Sequence, residues 1–307
     1  MSDSARTELR AGTIAAFSAF GIWAMIPLYF KAVGVVGPGE ILAHRIAWSI
    51  VFLAPLLLRR GQIREMVTTF RVPRHCLWLV IGSVLLGFNW FLFIFAVATD
   101  RVLDSSLGYF INPLVFVLLA LVVLGEKLSR VRWTAVTIAG LAVANLVWQH
   151  GSVPWLALGL AASFALYGLS KKFVPISSQG GLFIESLLML PAALAYLIWL
   201  EIVGRGHFLA SGSSLTLNGL IILSGVVTVI PLAMFAFGAR RIPLATIGLA
   251  QYITPSGQFL LAVFVFGETF DRARLVSFGL IWIALALYSW DLLVRRAPAK
   301  VTPAHST

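Results

Sequence analysis

Two adjacent basic side chains, His44 and Arg45, stand in the apolar run EILAHRIAWSIVFLAPLLL, and a carboxylate, Glu185, stands in the apolar run GLFIESLLMLPAALAYLIWL. Burying Arg in hydrocarbon costs at least ~3 kcal/mol on the mildest insertion scale, so Arg45 needs a partner, a water-filled cavity, or a reach to the headgroups. Aligning EILAHR with GLFIES sets Glu185 opposite His44. A carboxylate in a low-dielectric span can exchange a proton near neutral pH, as a proton carrier must, which makes His44 and Glu185 the proton-coupling candidates. Glu185 has two alternative readings: ion-pair mate of Arg45, or a residue of the cytoplasmic interface.

A second constellation comprises Tyr109, Asn112 and Pro113, matched by Gln251, Tyr252, Thr254 and Pro255. Each proline removes an amide donor, so Pro113 and Pro255 are expected to break their helices and free the carbonyls of Tyr109 and Gln251 for a solute. The alternative is ordinary hydrogen bonding between helices, with proline tolerated as a kink. Trp23, Tyr29, Asn89, Trp90 and Tyr167 extend the candidate cavity, because aromatic rings with an amide suit an amphipathic organic molecule. Trp78, Trp133, Trp148, Trp155, Trp199 and Trp290 fall near span ends and read as interface anchors. Glu126 and Glu268 follow glycine at matching positions and read as helix caps. Gly82, Gly87, Gly140, Gly159, Gly248 and Gly279 read as close helix packing.

The elements that must position these residues are spans. Of 307 residues, 60% are hydrophobic and 11% charged, with mean hydropathy +0.94. A water-soluble domain carries about a quarter charged residues, so the apolar excess must face lipid. The net charge of +11 sits in short clusters between apolar runs rather than on one face, which argues against a nucleic-acid partner. The single cysteine, Cys76, excludes an intramolecular disulfide framework. No metal-binding motif, Walker loop or catalytic grouping with supporting context is present, so neither a metal, a cofactor nor direct ATP drive is expected.

Apolar stretches near 20 residues predict spans at 11–30, 41–58, 76–98, 105–124 and 133–148, then 153–170, 180–200, 215–239, 244–266 and 275–294. The fold class is all-α integral membrane, because a spanning segment must satisfy its own backbone. The first span lacks a cleavage site after it and is read as retained. With residues 1–10 cytoplasmic, seventeen Lys and Arg fall on inner segments and five outside, so the basic tail, 295–307, is cytoplasmic and expected to be disordered.

Residues 108–148 and 250–290 share thirteen identities in 41 ungapped pairs, including Pro113/Pro255, Glu126/Glu268, Arg130/Arg272 and Trp148/Trp290. The chain therefore divides into repeats at 11–149 and 150–294. Five crossings are odd, so the second copy enters from the opposite face: ten transmembrane helices in two inverted five-helix repeats. Arg272 and Arg274 then lie outside while their mates lie inside.

The segments GIWAMIPLYFKAV, EILAHRIAWS, DSSLGYFINPL and LGEKLS resemble the RarD group of the EamA branch of the drug/metabolite transporter superfamily, over residues 10–295. That resemblance implies a ten-helix bacterial inner-membrane permease of two EamA-like repeats, with a central path lined by the first four helices of each. Its expected partners are a small-molecule substrate and the lipid bilayer, and a homodimer is compatible with it. The expected activity is secondary transport of a small organic solute by alternating access, proton-coupled through His44 or Glu185. The alternative is a polytopic receptor or membrane enzyme without transport.

Overall fold

The computed structural model describes residues 3–59, 63–124, 129–210, 213–242, 246–247 and 250–295. All regular structure among the described residues is helical: α1 (Asp3–Ala32), α2 (Pro38–Arg59), α3 (Ile63–Phe70), α4 (Pro73–Ala98), α5 (Val102–Leu124), α6 (Arg130–His150), α7 (Trp155–Ser170), α8 (Ser178–Ile202), α9 (Leu215–Ala239), α10 (Ile253–Leu260) and α11 (Arg272–Arg295). Eight of them, α1, α2, α4, α5, α6, α8, α9 and α11, are long and apolar enough to cross a membrane. Their outward faces agree: Leu215, Ile202 and Val122 are 90%, 78% and 78% exposed, which water would penalise and lipid does not.

The two remaining expected spans are shorter than the rest. α7 has 16 residues, about 24 Å at 1.5 Å per residue, and continues into a 3₁₀ turn at Lys171–Phe173. The stretch expected as one helix over 244–266 is instead interrupted by a turn at Gln251 and Tyr252. α10 begins after that turn and widens into a π-helical segment, Leu261–Val265. Gly267 follows with φ +68°, a left-handed conformation that ends the element.

The expected break at Pro113 is corrected here, while the interruption just described lies immediately before Pro255. Pro113 lies inside α5, which runs unbroken past it, and Pro255 sits in the first turn of α10, where its missing amide has no carbonyl to meet. Glu126, Gly248 and residues 296–307 of the expected tail lie outside the described residues. The short helix α3 emerges from the basic connection after α2. Glu65 ties it to the start of α8, accepting from the Ser177 amide at 2.5 Å and the Ser177 hydroxyl at 3.0 Å.

Helix packing follows a regular exchange. α1 packs on α9 and α10, as α7 packs on α4 and α5; α2 packs on α8 and α9, and α4 also on α8. α5 meets α10 and, outside the exchange, also α11, and α6 meets α11. The last pair is antiparallel. Early in α6, Arg132 Nε reaches Asp291 Oδ2 at 2.8 Å, late in α11. Late in α6, Asn145 Nδ2 donates to the Ala273 carbonyl at 3.0 Å and to Ser277 Oγ at 2.9 Å, early in α11. These two helices also start alike, for Ser129 Oγ accepts from the Arg132 amide and Asp271 Oδ1 from the Arg274 amide. Both are N-caps reaching the third amide, and they stand 142 residues apart.

Close packing explains some of the span glycines and not others. A Cβ on Gly82, Gly87 or Gly159 would meet Glu185 at 2.8 Å, Met189 at 2.8 Å or Leu92 at 2.9 Å. Gly140 and Gly279 have nothing within 4 Å, so the close-packing expectation fails for them. Gly108 is the tightest case on α5, where a Cβ would stand 2.7 Å from the Ala157 carbonyl oxygen of α7. Gly108→Ala is therefore expected to destabilise by about 1–3 kcal/mol, while Gly279→Ala is neutral or slightly stabilising. Thermal unfolding of the two purified variants checks this; equal melting temperatures would contradict the packing.

Candidate functional site

Arg45, about two turns into α2, is only 7% exposed. Its Nε donates to Thr228 Oγ1 of α9 at 2.8 Å, and the Thr228 hydroxyl in turn donates to the Ser224 carbonyl at 2.9 Å. That second bond turns the hydroxyl lone pairs toward the guanidinium. Its carbon lies 4.1 Å from the centroid of the Trp90 ring and 5.8 Å from that of Phe30. Tyr29 and Tyr109 lie within electrostatic reach, and Tyr29 is fixed by donating to the Leu220 carbonyl at 2.8 Å. No carboxylate among the described residues pairs with Arg45. Ring faces recover about 2 kcal/mol of its desolvation, less than the cost of burying the charge.

The other charged candidates have partners of their own. Glu185 is fully buried and accepts from Lys171 Nζ at 2.5 Å and from the Tyr167 hydroxyl at 3.0 Å. The reading of Glu185 as mate of Arg45 is overturned, because Lys171 at the end of α7 occupies that role. His44 sits at the opposite end of α2 from this pair's side of the bundle, with Nε2 4.0 Å from Glu40 Oε1 and its ring 5.0 Å from Phe208. Buried Glu40 accepts from the His207 amide at 2.7 Å and lies 2.8 Å from His207 Nδ1. The segment after α8 is thereby tied to the start of α2.

The matched polar segments meet different fates. Tyr109 packs against Phe93 and Phe164, centroids 5.9 and 6.1 Å away, and faces Arg45. Asn112, one turn further along α5, has an enclosed Oδ1 without a donor. On the other side, Gln251 is exposed in the turn, Tyr252 faces Tyr288 and Ser289 of α11, and Thr254 Oγ1 donates to the Phe20 carbonyl at 3.0 Å. These three are not gathered around Arg45. Asn89 spends its amide on the Leu160 carbonyl at 3.1 Å and Ser163 Oγ at 3.0 Å, clamping α4 to α7. Trp23 belongs to a ring cluster with Phe20 and Phe235. The candidate centre is thus Arg45 with Trp90, Tyr29 and Tyr109, and with Phe30 and Thr228, which the sequence reading does not name.

Further polar residues outside the expected set join α5 to α10. Ser105 Oγ donates to Gln258 Oε1 at 3.1 Å, Ser106 Oγ to the Pro255 carbonyl at 2.8 Å, and Gln258 Nε2 reaches the Trp23 carbonyl at 3.4 Å. Gln258 alone carries a sequence signal, as an amide inside an apolar run. A separate cleft at the α5–α6–α11 end is lined by Arg101, Asp104, Leu107, Leu146, Arg274 and Phe278. None of the expected cavity residues lines it.

Glu268 caps a helix, though not the next one in the chain. Its two carboxylate oxygens accept from the Val102 amide at 2.6 Å and the Leu103 amide at 2.9 Å, at the start of α5. Burial pushes this carboxyl above the usual range, while the Leu103 and Val102 amides pull it back.

Eight helices long and apolar enough to cross a membrane define a multi-pass membrane protein. Residues 10–148 match the EamA-like transporter family. The chain is 43% identical, over 92% of its length and 93% of the other protein, to an "Uncharacterized transporter" of Vibrio cholerae serotype O1. It is 42% identical to "Protein RarD" of Salmonella typhi, covering 93% of this chain and 97% of that one. The chain belongs to the RarD group of the EamA family, within the drug/metabolite transporter superfamily, and is a membrane transporter. A solved crystal structure, 19% identical, superposes with a TM-score of 0.57 over 93% of this chain and 99% of that one, a likeness of fold alone.

Removing the α5 cap tests how this end of the bundle is held. Glu268→Ala strands two amides and is expected to cost about 1–3 kcal/mol, with Glu268→Gln intermediate because its carbonyl oxygen still accepts. Thermal unfolding of the three proteins gives the order; an unchanged melting temperature in Glu268→Ala would contradict the cap.

Proposed function

We propose that the protein is a secondary carrier for a small organic solute, embedded in a bacterial inner membrane with both termini cytoplasmic. It has ten spans in two inverted five-helix repeats: α1, α2, α4, α5 and α6, then α7 to α11. The observation that carries this reading is the antiparallel pairing of α6 and α11. Their sequences align at an offset of 142 and their N-caps correspond, so antiparallel packing is what copies threaded from opposite faces require. The exchange in helix contacts supports it, since most contacts between the two sets of five map onto themselves or onto another, the contact of α5 with α11 being the exception.

Alternating access follows from that arrangement. Exchanging the conformations of two related halves converts an inward-open form into an outward-open one about a shared midplane site. Arg45, on α2 and bonded to α9, bridges the two halves there. Two polar ties stand at opposite ends of the bundle: Glu40 with His207, and Glu185 with Lys171. The first joins the start of α2 to the segment after α8, across the two halves, and the second joins the end of α7 to α8 within one half, so each acts as a latch on its own face. Protonating Glu185 would remove its attraction to Lys171 and release α7 from α8, which is the proposed coupling step, with His44 beside Glu40 as the second candidate.

Purified protein screened by thermal shift identifies solutes, since a ligand at 100 times its Kd adds ~2.7 kcal/mol. A stabilising solute is expected to show saturable counterflow in proteoliposomes, weakened in Arg45→Gln. Net uptake is expected to respond to an imposed pH gradient in the wild type and to lose that response in Glu185→Gln. Binding without flux would instead favour a receptor or enzyme. Flux indifferent to the gradient in both proteins would remove proton coupling and leave the carrier intact.

A further inference from the structure

The charged side chains withdrawn from water differ in one respect. Arg132, with 22% of its side chain exposed, is paired with Asp291; Lys171, with 25%, is paired with Glu185. Arg45 is more buried than either, yet among the described residues it has no carboxylate. Its one hydrogen bond uses Nε, leaving the four N–H donors of the two Nη amino groups without a hydrogen bond to any described residue. The neighbours that could compensate a full charge are ring faces and hydroxyls, which cannot neutralise it. A buried guanidinium with its outer fork open is a cost in the empty protein that an anion removes.

We propose that Arg45 is the counter-charge for the transported solute, and that the solute is a small organic monocarboxylate with an apolar, aromatic-compatible body. The inference rests on the carrier reading and deepens it by assigning charge and class. A carboxylate matches the planar Nη fork in two parallel hydrogen bonds, and a single unpaired cation matches a single negative charge. Trp90 and Phe30, whose rings already stand against the guanidinium, make its surroundings aromatic and so suited to a solute with an apolar body. A cationic solute would meet uncompensated positive charge, and a neutral one would leave the guanidinium unpaired. Thr228 Oγ1 acts as a positioning group, since its bond to Nε sets the plane of the fork across the α2–α9 contact.

Three matched probes test the assignment on the full-length protein in detergent: 3-phenylpropionate, its amide 3-phenylpropanamide, and the amine 3-phenylpropan-1-amine. Thermal shift is expected to show stabilisation by the carboxylate alone. Its half-maximal concentration should rise about tenfold or more in Arg45→Gln, and less in Arg45→Lys, which keeps the charge but not the fork. Thr228→Ala, which leaves the guanidinium in place, should weaken the carboxylate response moderately and so serves if Arg45→Gln does not fold. Equal stabilisation by the amide, stabilisation by the amine, or no response to the carboxylate would overturn the inference. Counterflow of labelled probe separates the two readings. Carboxylate binding without counterflow defeats the carrier and leaves the anion site; counterflow of the amide without carboxylate binding defeats the anion site and leaves the carrier.

Discussion

The seam between α6 and α11 holds these two helices antiparallel, because it is tied by side-chain contacts at both ends. Arg132 and Asp291 neutralise one another at one end, and Asn145 fills its donors with Ala273 and Ser277 at the other. Sliding the helices by one turn would strand the buried Asp291 carboxylate and the half-buried Asn145 amide. Most of the other helix contacts come in corresponding pairs: α1 on α9 as α7 on α4, α1 on α10 as α7 on α5, and α2 on α9 as α4 on α8. The proposed inverted repeat is the simplest sequence history for such a pattern.

Within that frame the transport-relevant chemistry is concentrated where the frame is least self-sufficient. Asn89 and Gln258 spend their amides on neighbouring helices, and Glu268 holds the start of α5. Arg45 is the exception: its guanidinium is enclosed by aromatic faces and anchored at one nitrogen. Stability alone would favour an apolar side chain there. A cation kept at such a cost is understandable if a solute's charge completes it. The two carboxylate ties, Glu40 and Glu185, sit toward the ends of the bundle, where the proposed alternating access would break contacts.

Much of this architecture is legible in the amino-acid order. Apolar length sets the eight long helices directly, and the 142-residue offset brings out the correspondence of α6 with α11. The interruption at Gln251 and Tyr252 is hidden from apolar length, which reads 244–266 as one span, but falls where Pro255 is expected to free the Gln251 carbonyl. Helix α3 is hidden by the arginines around it, which read as a loop, while Glu65 finds its partner 112 residues away at Ser177. For the site, residue type alone singles out Arg45 and Glu185, since charge in hydrocarbon is expensive. Their partners are another matter. Lys171 reads as one more inner-loop cation, and Thr228 is one hydroxyl among many; only the folded α7–α8 and α2–α9 contacts show what each one serves. Proline misleads at Pro113, which is absorbed within α5, whereas Pro255 stands in the first turn after the interruption.

The most direct test places single cysteines at Arg130 and Arg272, the first residues of α6 and α11, in a Cys76→Ser background, and probes intact cells with a membrane-impermeant maleimide. Opposed halves predict that position 272 labels from outside while position 130 labels only after the cytoplasmic face is opened. Labelling of both positions from the same side would contradict the account.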